Sequence, residues 1–283
     1  MLLSVDGWVK RQKQIADPSK SRLREGDRVL ACVAGSTRST LALFSSFGVC
    51  YTARFIDIPA STGHGEPIQK LFKMKDGEKI VSAISLDPRV VGNIQEDPKH
   101  PDYCPEVHGF AATSNGFALR FGLQQFVEPS TRSGRRYARV ASGYEVVGVE
   151  AVTGTEKILA ISSGTAAQWS APSKKSTTCL APGKGVTLIK LSKTDRLVGF
   201  KASKGDRDLL TVETNRGAAK NRFDRCYRVT SRGAYRGTEI QKNGKIASVV
   251  FQPPAPRSCP KSNAGSGTEI VIRNKHKRSS FKA

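Results

Sequence analysis

The residues of this sequence best suited to chemistry are its cations. Against 24 Asp and Glu stand 46 Lys and Arg, a formal net charge of +22 over 283 residues. Five clusters stand out: Lys10, Arg11 and Lys13; Lys20, Arg22 and Arg24; Arg132, Arg135, Arg136 and Arg139; Lys174, Lys175 and Lys184; and Arg222, Arg225, Arg228, Arg232 and Arg236. Groups of this kind neutralise phosphates and release the counterions condensed on a nucleic acid. For any single residue a solvated turn is an equally good account. For the whole set it is not, because the excess goes beyond what solubility asks and points to a polyanionic partner, nucleic acid before acidic membrane. No apolar run reaches membrane-spanning length.

Other constellations are weaker. His100, Cys104 and His108 in KHPDYCPEVH are loosely spaced like zinc ligands, but no fourth ligand accompanies them, so a metal is not expected. The GKG at 183–185 is too short for a phosphate loop and is read as a hairpin turn with an exposed lysine. Trp8 and Trp169 are expected to pack between repeats rather than stack on bases. The six cysteines form no CxxC pair and are read as reduced thiols of a cytoplasmic protein. With no recognition helix or zinc-finger spacing, backbone contacts and DNA bendability are expected to replace base reading.

The elements that must position these cations repeat along the chain. SVDGWVKR, SSFGVCYTAR, TSNGFALRF, ISSGTAAQW and ETNRGAAKNRF each place a glycine turn between apolar residues, and four of them carry Arg as the last or next-to-last residue. Later in each unit come Val29-Leu30-Ala31, Ile80-Val81-Ser82, Val146-Val147-Gly148, Leu197-Val198-Gly199 and Ile246-Ala247-Ser248: a large aliphatic residue first and a small one third, as near a crowded axis. Four units carry a further glycine, at Gly65, Gly134, Gly185 and Gly237, with an apolar residue three positions on: Ile68, Tyr137, Leu188 and Ile240. Short β-branched runs between turns make each unit about four strands, a propeller-like blade. Blades are expected near 1–35, 36–87, 107–153, 154–204 and 205–252, within one domain over 1–252. The Pro-rich 88–106 reads as an inserted surface loop, and 253–283 as a linker, a closing strand and a basic tail. Met1–Gly7 reads as the middle of a strand, so the chain is taken as a piece of a longer protein.

In order and spacing these phrases resemble the C-terminal β-pinwheel domain of the A subunits of bacterial type IIA topoisomerases. DGWVKR followed by EGDRVLACVAGSTRSTLALFSSFGVCYTARFIDIPASTGHGEPIQKL is most similar to topoisomerase IV, with gyrase second, and the likeness runs from about residue 2 to 252. It implies an all-β fold, a ring or spiral of five to six four-stranded blades whose basic outer edge binds and bends duplex DNA. The Gly-rich basic box that gyrase carries in its first blade has no counterpart between Lys10 and Val29; the nearest imitation is Ser231–Gly237.

The resemblance further implies a non-catalytic domain, with no cofactor of its own, in an enzyme that uses ATP and Mg²⁺ elsewhere. Its partners would be double-stranded DNA, the cleavage domain of its own polypeptide and the ATPase component of the holoenzyme. The isolated domain would be monomeric, cytoplasmic and associated with the nucleoid. Those enzymes cut DNA with a tyrosine that follows an arginine, as in Arg136-Tyr137. Tyr137, however, fills the apolar slot after a unit glycine and is expected to pack. A basic propeller-like scaffold for an acidic protein is the alternative from another class.

Overall fold

The repeated glycine turns fold into repeated hairpins. A computed structural model describes residues 1–96, 105–163, 165–170, 183–192 and 194–203, and beyond these the backbone of five short strands ending at Val250. The first two units give β1 (Leu2–Ser4), β2 (Trp8–Lys10), β3 (Val29–Cys32), β4 (Thr40–Ser45), β5 (Val49–Arg54), β6 (Glu66–Pro67) and β7 (Ile80–Ser85). The third gives β8 (His108–Thr113), β9 (Phe117–Gly122), β10 (Arg135–Arg136) and β11 (Val146–Val152). The fourth gives β12 (Lys157–Ser162), β13 (Thr165–Ser170), β14 (Val186–Thr187) and β15 (Leu197–Ser203). Last come β16 (Leu209–Thr214), β17 (Ala219–Phe223), β18 (Val229–Thr230), β19 (Thr238–Glu239) and β20 (Ile246–Val250). Among these strands every pairing but one is antiparallel; the exception is β13 with β18.

The sheets run β3-β1-β2-β6, β10-β5-β4-β7, β11-β8-β9-β14 and β15-β12-β13-β18, with β19 also on β13, then β17-β16-β20. Their edge strands cross unit boundaries. β6, β10, β14 and β19 each follow one of the marker glycines, and each pairs with a sheet begun by the preceding unit. The contiguous blades expected from the sequence therefore differ from the sheets, which exchange one strand between neighbours. The exchange has a fixed lock. Ile68, Tyr137 and Leu188 donate their N–H groups to the carbonyls of the hairpin glycines Gly7, Gly48 and Gly116 at 2.9, 2.9 and 2.8 Å. Gly65 and Gly185 lie so close to the neighbouring strand that an added Cβ would sit 2.4 and 2.2 Å from the Val9 and Ala118 carbonyl oxygens.

The aliphatic-first, small-third triplets lie on β3, β7, β11, β15 and β20, which pack against one another in succession. Each of these strands meets a bulge opposite its first residue: Ser4, Ser45, Thr113, Ser162 and Thr214 face Val29, Ile80, Val146, Leu197 and Ile246. Bulges bend the strand and increase its twist at this crowded position.

Between sheets lie the apolar clusters. Phe44, Phe121, Phe126 and Tyr137 interlock with ring centroids 5.0–6.0 Å apart. Tyr137 is buried as its slot requires, and its hydroxyl donates to the Ser45 carbonyl at 2.9 Å. The 88–106 segment corrects the expectation of a surface loop over its described parts. Asp87 caps the short helical turn α1 (Pro88–Val91), and Val91 and Ile94 enter the same cluster as Phe44 and Phe121, joined by Val107 just beyond the segment. Their apolar area outweighs the polar composition around them. Residues 97–104 and 253–283, with the expected closing strand, lie outside the described residues.

Candidate nucleic-acid interface

The exchanged edge strands bring cations to the perimeter at a recurring place. Five residues after each marker glycine stands a basic residue: Lys70, Arg139, Lys190 and Lys242. The first three are exposed, while Lys242 lies outside the described residues. Only Arg139 belongs to the five sequence clusters. Counting from the glycines would have found the others, because the strand exchange gives that offset its spatial meaning.

Two seams gather further charge. Between the first and second sheets, the Lys73 N–H donates to the Arg132 carbonyl at 2.8 Å, and Arg132 Nη2 donates to the Lys70 carbonyl at 3.3 Å. Gln69, Phe72, Lys73, Met74 and Arg132 line an open groove of about 340 Å³ there. Lys70 Nζ lies 3.3 Å from Glu66 Oε2 and is 61% exposed, so screening leaves this pair weak and its charge available. At the next seam, the Arg139 N–H donates to the Gly183 carbonyl at 3.0 Å, next to exposed Lys184 and near exposed Arg136. GKG leads into β14 with its lysine exposed, and Lys184 Nζ sits 5.0 Å over the Phe117 ring.

Other expected site residues fall into three groups. Lys13, Lys20, Arg22 and Arg24 are exposed; Lys20 lies 3.9 Å from Asp17 with 84% of its side chain accessible, and Arg24 lies over Trp8. Arg11 and Arg135 are half-buried and spend hydrogen bonds on backbone. Arg11 Nε donates to the Ile58 carbonyl at 3.2 Å, and Arg135 Nη1 to those of Gln125 and Glu128 at 2.9 and 3.2 Å. Lys174, Lys175, Arg225, Arg228, Arg232 and Arg236 lie outside the described residues; for Arg222 and Trp169 only the backbone, on β17 and β13, is described.

Lys10 is the clear correction. It is 0% exposed, with Nζ donating to the carbonyls of Arg22 and Gly63 at 2.6 and 2.9 Å, so it does not reach a phosphate. Burial, and next the Arg22 charge, lower its pKa from the ordinary lysine value. The basic endings of the repeated phrases therefore do not all serve the surface. Arg54, ending the second phrase, is exposed, but Arg120 in TSNGFALRF is 5% exposed and 2.9 Å from His108 Nδ1. Burial and then the Arg120 charge push His108 down to about 4. A cation on a middle strand is buried where a neighbouring sheet or loop packs over it, as over Lys10 and Arg120, and stays exposed where none does, as at Arg54 at the end of β5. His100 and Cys104 lie outside the described residues, and among the described ones no cluster of three metal-ligating side chains occurs.

Comparison with known proteins finds domains similar to this arrangement. The model of the DNA gyrase C-terminal domain, beta-propeller, matches residues 39–87, 110–153 and 182–204. Over 82 residues the chain is 35% identical to the DNA topoisomerase 4 A subunit of Caulobacter vibrioides, a match covering 29% of the chain and 11% of that protein. The DNA gyrase A subunit of Escherichia coli is 24% identical over 238 residues, 82% of the chain and 25% of that protein. The chain thus spans a quarter or less of the length of these relatives. Among solved structures, the C-terminal domain of DNA topoisomerase IV superposes with TM-score 0.73 at 18% identity, covering 89% of the chain and 76% of that structure. The E. coli ParC C-terminal domain gives 0.63 at 19%, covering 89% and 98%. The fold is an all-β pinwheel of propeller-like blades. The chain is similar to the C-terminal β-pinwheel domains of the type IIA topoisomerase A subunits, shared by topoisomerase IV and gyrase.

Proposed function

We propose that this chain is the non-catalytic DNA-binding and DNA-bending domain of a topoisomerase IV-like enzyme, at the C-terminal end of its DNA-cleaving polypeptide. It holds the duplex to be transported on its basic outer edge and presents it to the cleavage domain of the same polypeptide, in support of relaxation and decatenation. ATP and Mg²⁺ act elsewhere in the holoenzyme, with the ATPase component, in the bacterial cytoplasm at the nucleoid. The observation that carries this reading is the recurrence of an exposed cation five residues after each of three marker glycines, at Lys70, Arg139 and Lys190. A cation repeated at one structural position of each blade meets a phosphate backbone at intervals, and a curved perimeter favours a curved duplex.

Neutralising those three residues to Gln tests it. Each lost phosphate contact should lower the slope of log K against log salt by about 0.9. An unchanged slope in the triple variant would refute the perimeter reading and favour a scaffold for an acidic protein. The second reading within the family is a gyrase wrapping domain, favoured by the alignment of 238 residues with the gyrase protein of E. coli. Negative supercoiling by a holoenzyme carrying this domain would select it. Relaxation and decatenation without supercoiling would select topoisomerase IV, which the absence of a Gly-rich box between Lys10 and Val29 supports.

A further inference from the structure

β2 has only three residues, and strand alternation sends them to two faces. Val9 is fully buried in the apolar cluster of the first two sheets. Trp8 and Lys10, on the other face, both reach the loop that carries Lys20, Arg22 and Arg24. Lys10 holds that loop by its backbone, through the 2.6 Å bond from its amine to the Arg22 carbonyl, and ties it to the 61–65 turn through Gly63. Trp8 holds it by a side chain, with the Arg24 guanidinium carbon 4.8 Å from the ring centroid. The loop also has a local brace: Asp17 accepts from the Ser19 N–H at 3.0 Å and the Ser19 hydroxyl at 2.6 Å, opening a single turn at Pro18–Lys20.

A buried ammonium is expensive relative to an apolar residue of the same length. Here its hydrogen bonds fix a backbone whose own side chains are cationic and exposed. We propose that Lys10 and Trp8 are positioning residues that hold Arg22 and Arg24 as a preorganised clamp for the phosphates of duplex DNA. This rests on the DNA-binding reading of the perimeter. Long cationic side chains on a free loop lose rotamer and backbone freedom when they engage a phosphate, and a loop fixed beforehand has already lost it. The device recurs on β9. Phe117 follows its hairpin glycine as Trp8 follows Gly7, and it carries Lys184 over its ring at 5.0 Å.

The test is binding of a linear duplex across a salt series by the 283-residue chain and its Trp8→Leu, Lys10→Met, Arg22→Gln, Arg24→Gln and Trp8→Leu/Arg24→Gln variants. Arg24→Gln should lower the affinity and reduce the salt slope by about 0.9, because a contact is gone. Trp8→Leu should weaken binding by about 3–10-fold with the slope unchanged, because the contact remains but must be ordered on binding. The double variant should bind no more weakly than Arg24→Gln alone, and Lys10→Met should weaken binding at least as much as Trp8→Leu. Denaturation midpoints identify any variant that loses its fold; should Lys10→Met do so, Trp8→Leu decides. Trp8→Leu binding like the parent chain, or losing affinity additively with Arg24→Gln, overturns the proposal. So does an unchanged affinity and slope in both arginine variants while the parent keeps a steep slope, an outcome that leaves the DNA reading intact. A shallow slope in the parent chain itself would end the DNA reading and the clamp with it.

Discussion

Gly65→Ala, compared with Gly26→Ala, isolates what the strand exchange contributes. Both glycines have left-handed backbones, φ +90° and +77°, where an L side chain costs about 1–2 kcal/mol. Around Gly26 nothing lies within 4 Å of an added Cβ, so Gly26→Ala should cost only that strain, less about 0.4–1 kcal/mol regained from the stiffer unfolded chain. At Gly65 the same methyl would stand 2.4 Å from the Val9 carbonyl oxygen and 3.0 Å from Lys10 Cβ. Both are atoms of strand β2, which is held between β1 and β6. The clash is relieved only by lifting β6, which loosens Ile68, 1% exposed, and its N–H bond to the Gly7 carbonyl. Burial of such a side chain is worth about 1.5–3 kcal/mol and the hydrogen bond about 1 kcal/mol. Gly65→Ala should thus destabilise by roughly 2–4 kcal/mol more than Gly26→Ala. Urea unfolding followed by far-UV circular dichroism reads the difference. Equal losses in the two variants would refute the claim that the marker glycines lock one unit to the next.

Tyr137→Phe should cost about 1–3 kcal/mol, because the buried Ser45 carbonyl loses its phenolic donor, while DNA binding is retained; chemical denaturation beside a duplex-binding titration checks both. Tyr137→Ala should cost about 3–5 kcal/mol, since the ring packs on Phe44 and Phe121 with centroids 5.0 and 5.2 Å away; unfolding in urea measures it. His108 is held near 4 against an unfolded value of 6.5, so the unfolded chain binds its proton first. Its stabilising contribution is present above about pH 6.5 and is lost as pH falls towards 4, by roughly 2–3 kcal/mol. An acid titration of stability in the parent and in His108→Gln reads this, and the variant should show a flatter profile over that window. Arg120→Gln should lower stability without reducing the salt slope of DNA binding, whereas Arg139→Gln should do the reverse; the same two assays on both variants separate a buried cation from a perimeter one.

Much of the fold is legible in the sequence because the constraint behind it is local. A hairpin needs its glycine, a crowded inner strand needs its small third residue, and both recur at each unit, so Gly7, Gly48, Gly116, Ala31 and Gly148 speak for themselves. Tyr137 reads as packing because its slot is filled by Ile68 and Leu188 in other units. The strand exchange is not legible, because the pattern around Gly65 or Gly134 says that a strand follows but not which sheet accepts it. The same gap hides the regular spacing of Lys70 and Lys190. Lys10, at the end of β2, and Arg120, within β9, mislead because a cation in a short strand looks like a surface residue until a neighbouring sheet or loop covers it. Val91, Ile94 and Val107 escape notice because Pro and polar residues dominate their segment, although three apolar side chains suffice to anchor it in the core.

The central claim is a basic perimeter shaped for curved duplex DNA, and affinity for one duplex in linear form and closed as a minicircle, across a salt series, tests it most directly. With about six to ten phosphates engaged, the log–log slope should be about −5 to −9, with the minicircle bound more tightly at each salt concentration. A shallow slope with equal affinity for the two forms would contradict the account.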